Sequence, residues 1–330
     1  MNILIITPAL RGSRAGNRAT AERWQRLLGT AGHDVQVITE YRGEACDLLI
    51  ALHAWRSREA IADFRSDWPN VPVIVVLTGT DVYQHQARYP ADTLASMEAA
   101  TVLIGLHDRV GQDIPTHLRG RLVTLYQSAA LPTRRSEPPS EAFQVCVIGH
   151  LRDEKDSLRA ARAARKMPPA SRIRVVCAGK PHNEQWQAAV AAEVAENDRF
   201  QWVGELGEAD TATLLTGSHL MVISSVMEGG ANVVSEACRA GVPIVASDIP
   251  GNRGLLGDGY EGYFPVGDEA ALANLLWRAE TDPAFLDRLS QQVNRLAPRF
   301  TPEMERKSLE QALAMAVERG SSTQGINPEG

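Results

Sequence analysis

The residues best suited to chemistry stand together at Glu228-Gly229-Gly230-Ala231-Asn232-Val233, with a second acid, Glu236, eight positions after the first. Glu228 precedes what the sequence reads as a helix, and Glu236 lies within its first turns. The paired glycines leave backbone N–H groups bare at a helix N-terminus, where partial positive charge collects and no Cβ keeps an anion away. Carboxylates on either side repel a bare phosphate but accept hydrogen bonds from sugar hydroxyls. A ligand with a diphosphate in its middle and hydroxyls at both ends fits this layout, as a nucleotide sugar does. The alternative is a glycine-rich turn that opens a charged helix.

Two βα series must position these residues. The first opens with a strand over residues 2–7, a Gly/Arg loop over 11–18 and a helix whose apolar face is Trp24, Leu27, Leu28 and Ala31. Gly32 ends that helix. Further strands are expected over residues 34–38, 47–52, 71–77, 101–106 and 122–126. Continuous apolar runs with helices between them mean a parallel sheet covered on both faces. Residues 132–141 (PTRRSEPPSE) read as a Pro-rich linker. The pattern then restarts, with strands over 143–149, 172–179, 200–203, 219–224 and 242–247, and helices over 157–166, 184–196, 210–216 and 233–240. Gly241 and Pro243 stop the last of these. Helices near 269–281 and 283–296 follow, then an amphipathic helix over 302–319 and a Gly/Ser-rich tail, from Gly320, expected to be disordered. The fold class is α/β: two doubly wound domains whose carboxyl strand ends face each other across one cleft, where ligands of such sheets bind.

Composition agrees. A chain of 330 residues fits two domains of about 150 each. The net charge of −6, from 34 basic and 40 acidic residues with no Lys/Arg run, argues against nucleic acid. Cys46, Cys146, Cys177 and Cys238 lie far apart, as buried thiols of a reducing cytoplasm rather than disulfides or a zinc site. No signal peptide or membrane span is expected, and the reading is of a soluble, cytoplasmic protein.

Further candidates follow the strand ends. In the loop from Gly12 to Thr20, Arg14, Gly16, Asn17, Arg18 and Thr20 can hold an anion, or form a solvated basic loop. His53, Arg56 and Ser57 end one strand, and a histidine there is as readily structural as catalytic. Thr78-Gly79-Thr80-Asp81 admits a ligand closely, with Asp81 orienting a hydroxyl or basic partner, or else capping a turn. In the second half, Lys155 can reach a phosphate, and the turns at Gly179 and at Gly204 can carry a flat base.

The stretches VIGHLRDEK (147–155), EGGANVVSEACRAGVPIVASD (228–248) and GYFPVGD (262–268) resemble retaining GT-B glycosyltransferases with two glutamates separated by seven residues. The resemblance implies that Glu236 grips ribose hydroxyls. It places Glu228 and the amides near Gly230–Val233 on the sugar and diphosphate, and Lys155 on the diphosphate. No metal is implied, since Lys155 and helix-end amides neutralise the leaving group. The chain departs from the family pattern at His150, where an Arg contact to diphosphate is usual, and at Thr78, where a His is usual.

The first half narrows the resemblance. GNRATAERW (16–24), ALHAWRS (51–57), LTGTDVY (77–83) and YQSA (126–129) together look like the selenosugar synthase of selenoneine biosynthesis. That family joins selenium to a sugar, using selenophosphate and a UDP-sugar, commonly UDP-N-acetylglucosamine, as substrates, with no cofactor. The implied organisation is residues 1–135 on the selenophosphate side, 136–300 on the UDP-sugar side, and 301–330 as a C-terminal helix and flexible tail. Partners would be enzymes that supply selenophosphate or take the selenosugar. The catalytic candidates are Asn17, Arg18, His53 and Glu228, and the substrate-binding candidates add His150, Gly229 and Gly230 to the loops above. Two competitors stand beside this reading: a conventional UDP-sugar glycosyltransferase with a hydroxyl or thiol acceptor, and a non-catalytic nucleotide-sugar binder.

Overall fold

The computed structural model describes residues 1–13, 16–132 and 135–324. The chain forms two compact units, Met1–Gln127 together with the helix Pro302–Gln324, and Ser128–Thr301.

The first unit is built on a parallel six-stranded sheet: β1 (Asn2–Ile6), β2 (Asp34–Ile38), β3 (Leu48–Leu52), β4 (Val73–Leu77), β5 (Val102–Gly105) and β6 (Leu122–Thr124), in the order β2-β1-β3-β4-β5-β6. Alternation along each strand divides its apolar run between two cores. Ile3 and Ile5 of β1, with Leu48, Ile50, Ile74, Val76, Val102 and Ile104, face one side. There the helix Gly16–Thr30 brings Ala21, Trp24 and Leu28, and the terminal helix brings Leu309, Ala312, Leu313 and Ala316 at i, i+3, i+4 and i+7. Leu4, Ile6, Leu49, Val75 and Leu103 face the other side, against Ile61 and Phe64 of the helix Arg58–Asp67 and Met97 of the helix Pro90–Ala99. The switch in strand order falls between β1 and β3, so the loops after those strands open at its carboxyl edge.

The second unit repeats the plan with β7 (Phe143–Ile148), β8 (Ile173–Ala178), β9 (Phe200–Trp202), β10 (Leu220–Ile223), β11 (Ile244–Ser247) and β12 (Tyr263–Phe264), in the order β12-β11-β10-β7-β8-β9. Its switch point lies between β7 and β10, paired through Leu220 opposite Val145 and Met221 opposite Cys146. Sequence periodicity missed β12 and the helix Pro250–Leu256, both too short to show a period.

The tail is a correction. Residues 320–324, expected to be disordered, continue the terminal helix. A Cβ at Gly320 would lie 3.7 Å from the Pro72 ring, and Arg319 Nη2 donates to the Gly120 carbonyl at 2.8 Å, so the helix touches the rest of the first unit as far as Gly320. Lower down, the same helix is fixed by a fully buried acid. Glu305 accepts from Trp24 Nε1 at 2.7 Å and from Arg23 Nε at 2.9 Å. Removing one partner of such a pair strands the other. Glu305→Ala is therefore expected to lower unfolding free energy by about 3 kcal/mol, read by urea titration. A loss below ~1 kcal/mol, the range of an exposed pair, would contradict the role given to Glu305.

Candidate active site

In the second unit the chain leaves β10 as Ser224-Ser225-Val226-Met227-Glu228-Gly229-Gly230-Ala231 and enters the helix Asn232–Ala240. The N-cap residue, Ala231, makes no side-chain cap, and the first turn carries no acid to oppose an anion at the positive end of the helix. Gly241, at φ 73°, closes the helix in the left-handed conformation glycine permits.

Lys155 comes from the 3₁₀ turn Asp153–Lys155 that follows β7. Two contacts stitch this turn to the end of β10: Val226 N–H donates to Glu154 O at 2.9 Å, and Ser224 Oγ donates to Asp156 O at 2.9 Å. Asp156 is left-handed at φ 44° and is held there by Arg159, which also reaches Glu269. The result puts Lys155 Nζ in a hydrogen-bonded ion pair with Glu228 Oε1. Ser225 Oγ donates to the same oxygen at 2.5 Å. A small cavity beside the pair is lined by Gly149, Lys155, Ser157, Ser224, Ser225 and Val233. Glu228 is buried, and Gly251 lies against its backbone: a Cβ there would come 2.3 Å from Glu228 O. Glu236 stands half-buried one turn into the helix.

Around this centre His150 is half-buried and accepts the Lys180 N–H on Nδ1 at 3.3 Å, which leaves the proton of a neutral ring on Nε2. Gly179 and Gly149 touch, since a Cβ at Gly179 would sit 1.9 Å from Gly149 O. Gly204 O accepts the Gly179 N–H at 2.7 Å. Lys155, Glu228, His150 and the Gly229–Val233 segment are thus gathered around one switch point.

The candidates of the first unit fall into two groups. Arg14 lies outside the described residues. Gly16 and Asn17 open the helix Gly16–Thr30. Arg18, nearly buried, donates from Nε to Glu22 at 2.6 Å and lines a groove of about 1220 Å³ along the edge strand β2. That groove brings four arginines, Arg11, Arg18, Arg26 and Arg42, together with four acids, Glu22, Asp34, Glu40 and Glu44. The Thr20 hydroxyl donates to Gly16 O at 2.9 Å and accepts from Gln127 Nε2 at 2.5 Å.

The second group sits at the ends of β3 and β4. The fully buried Asp81 carboxylate accepts the amides of Ala54, Thr78, Gly79 and Val82 at 2.8–3.1 Å, so it fixes two loops to each other. His53 is buried in a left-handed conformation, φ 75°, that a bulky side chain adopts only when its surroundings enforce it. Its Nδ1 accepts the Arg56 N–H at 3.1 Å, so in the neutral ring Nε2 carries the proton and donates to Thr80 Oγ1 at 2.9 Å. Arg56 itself is exposed. Residues Asp81–His85 form a π-helical turn, which directs His85 onto Trp55 with ring centroids 4.3 Å apart. Trp55 also stacks on Tyr89 at 4.6 Å.

Sequence reasoning missed Ser225, Ser247, Asn252, Gly251, Trp55 and His85 around these centres. The available signal was modest: small polar residues at the carboxyl ends of two adjacent central strands. Among the described residues no group of three or more His, Cys, Asp or Glu side chains is arranged to hold a metal ion. None of the described helices is long and apolar enough to cross a membrane.

Burial pushes His53 down to about 4 against the pull of Asp81, with Arg56 and His85 lowering it further. Burial lowers His107 to about 4 as well, with Arg109 adding to it. Its Nδ1 accepts the Arg109 N–H at 3.2 Å and its Nε2 bonds the Tyr83 hydroxyl at 2.9 Å. Both groups take up protons near pH 6.5 when unfolded. Between those limits the unfolded chain binds more protons than the folded one, so stability is full above pH 6.5 and falls as pH drops toward 4. Each histidine should account for a loss on the order of 3 kcal/mol. Denaturant titrations across this window should show a flatter pH slope for His53→Gln and for His107→Gln; unchanged slopes would contradict the burial argument.

Comparison with known proteins places this geometry. Residues 133–295 match the family model described as Glycosyl transferases group 1. A curated relative, the putative glycosyltransferase EpsD of Bacillus subtilis (strain 168), is 26% identical over 151 residues, 46% of this chain. The match spans 39% of that relative's length. Among solved structures, HepE of Anabaena in complex with UDP aligns with a TM-score of 0.75 at 16% identity, covering 95% of this chain and 100% of the other. Sucrose-phosphate synthase of Thermosynechococcus elongatus aligns with a TM-score of 0.77 at 17% identity, covering 96% and 99%. The likeness shows the GT-B fold.

Proposed function

We propose, from the match of residues 133–295 to the glycosyl transferases group 1 model, that the protein is a UDP-sugar-dependent glycosyltransferase and that its acceptor is selenophosphate. The observation that carries the donor reading is the Lys155–Glu228 pair beside the N-terminus of the helix Asn232–Ala240. A cation and a row of amides suit a diphosphate, and an acid with acceptor capacity suits sugar hydroxyls. HepE, of the same fold, is crystallised with UDP. Glu236, half-buried one turn further on, is assigned to the ribose.

Selenophosphate as nucleophile rests on the motifs of the first half. A selenium lone pair forms the bond to the anomeric carbon while the bond to the UDP oxygen breaks and its electron pair leaves with UDP. Water then cleaves the selenium–phosphorus bond and releases phosphate. The nucleophile is already an anion, so it needs no general base. This agrees with a His53 whose two ring nitrogens are both engaged by the protein. In this scheme His53 acts through Thr80, by orienting its hydroxyl.

One observation favours the second reading, a conventional hydroxyl or thiol acceptor. Arg18 is paired to Glu22 in a groove with as many acids as arginines, which attracts an anionic nucleophile weakly. The two readings separate in one experiment: UDP release from UDP-N-acetylglucosamine, measured anaerobically with and without selenophosphate, with products weighed by mass spectrometry. Selenophosphate-dependent release with selenium on the sugar is expected. Release indifferent to selenophosphate would replace it with the conventional acceptor, and UDP binding without release would leave a nucleotide-sugar binder. Glu228→Gln should cut turnover by roughly ten-fold or more, about 1.4 kcal/mol of barrier, whichever acceptor is used. Arg18→Ala should do so through the selenophosphate KM; near-normal rates would remove that residue from the mechanism.

A further inference from the structure

Glu228 ends a chain of buried hydrogen bonds whose direction the chemistry fixes. Asn252 Nδ2 donates to Ser247 O at 2.9 Å and to Ser247 Oγ at 3.1 Å. Ser247 Oγ spends its one proton on the Ser225 carbonyl at 2.5 Å. The Ser225 hydroxyl then donates to Glu228 Oε1, because a carboxylate only accepts. Ser225 is 1% exposed, and Ser247 and Asn252 are fully buried. The helix Pro250–Leu256 therefore holds Glu228 from two sides, by Gly251 against its backbone and by Asn252 through the two serines.

Both protein donors to the carboxylate, Ser225 Oγ and Lys155 Nζ, meet the same oxygen. Oε2 has no hydrogen-bond partner among the described residues. A carboxylate beside an ammonium gains by turning both oxygens toward it. Such a turn would use up the acceptor a sugar hydroxyl needs. A hydroxyl clamped on Oε1 opposes it. We infer that Ser225, held in place by Ser247 and Asn252, is a positioning residue that commits Glu228 Oε1 to Lys155 and keeps Oε2 for the hydroxyl of the transferred sugar. This rests on the nucleotide-sugar reading of the site and names the groups that set its preference for a UDP-sugar over UDP alone.

The test compares wild type, Ser225→Ala, Ser225→Thr, Glu228→Gln and the Ser225→Ala/Glu228→Gln double variant. Calorimetric UDP affinity reports an intact nucleotide site, and UDP release from UDP-N-acetylglucosamine reports turnover. Ser225→Ala is expected to bind UDP within about two-fold of wild type yet lose about ten-fold in turnover, and Ser225→Thr, which keeps the hydroxyl, to recover most of it. If Ser225 acts through Glu228, the double variant is no slower than Glu228→Gln alone. Wild-type turnover in Ser225→Ala, or multiplied losses in the double variant, would overturn the inference. Should Ser225→Ala fail to bind UDP, Ser225→Cys, with its weaker donor, is read in its place under the same criteria. A wild type that binds no UDP would instead overturn the nucleotide-sugar reading, and this inference with it.

Discussion

The second unit depends on how one buried carboxylate is neutralised. Glu228 sits where a lone charge would cost several kcal/mol, and the surrounding elements are arranged to supply its partners. Lys155 arrives from the turn after β7, Ser225 from the end of β10, and the backbone contact from Gly251. The pairing of β7 with β10 brings the first two together, and Ser224 binds the Lys155 turn to the strand that leads to Glu228. The switch in strand order thus does more than open a crevice. It sets a cation, an acid and a helix start side by side.

Asp81 in the first unit shows the contrast. It is also a buried carboxylate at a strand end, but four backbone amides occupy it. Its charge is settled by the scaffold, and what it gives in return is the relative placement of His53 and Thr80. Glu228 is settled by side chains on one oxygen alone. That difference, more than burial or position, decides which acid retains capacity for a ligand. His53 follows the same logic as Asp81: a neutral ring with both nitrogens engaged is a fixture, and the groups it presents are its neighbours'.

Much of this was legible in the sequence. Strands buried on both faces read as unbroken apolar runs, so β1, β3, β4, β7, β10 and β11 could be found without a structure, and the terminal helix showed its stripe. The spacing of Glu228, the glycines and Glu236 was informative because it encodes local geometry, a turn into a helix. The Ser225–Ser247–Asn252 chain was not legible, because it depends on the register of β10 against β11 and on the approach of a seven-residue helix with no period to read. The contact of Trp55 with His85 was hidden by the π-helical turn, which shifts side chains off the 3.6-residue pattern. Gly320 misled in the opposite sense. Composition marked the segment as a free tail, whereas residues 320–324 continue the terminal helix, with Gly320 beside Pro72.

The most direct measurement is a crystal structure of the protein with UDP. The account predicts the diphosphate against Lys155 and the first amides of the helix Asn232–Ala240, the ribose at Glu236, and Ser225 still on Glu228 Oε1. UDP bound away from the β7–β10 switch point, or a diphosphate out of reach of Lys155, would contradict it.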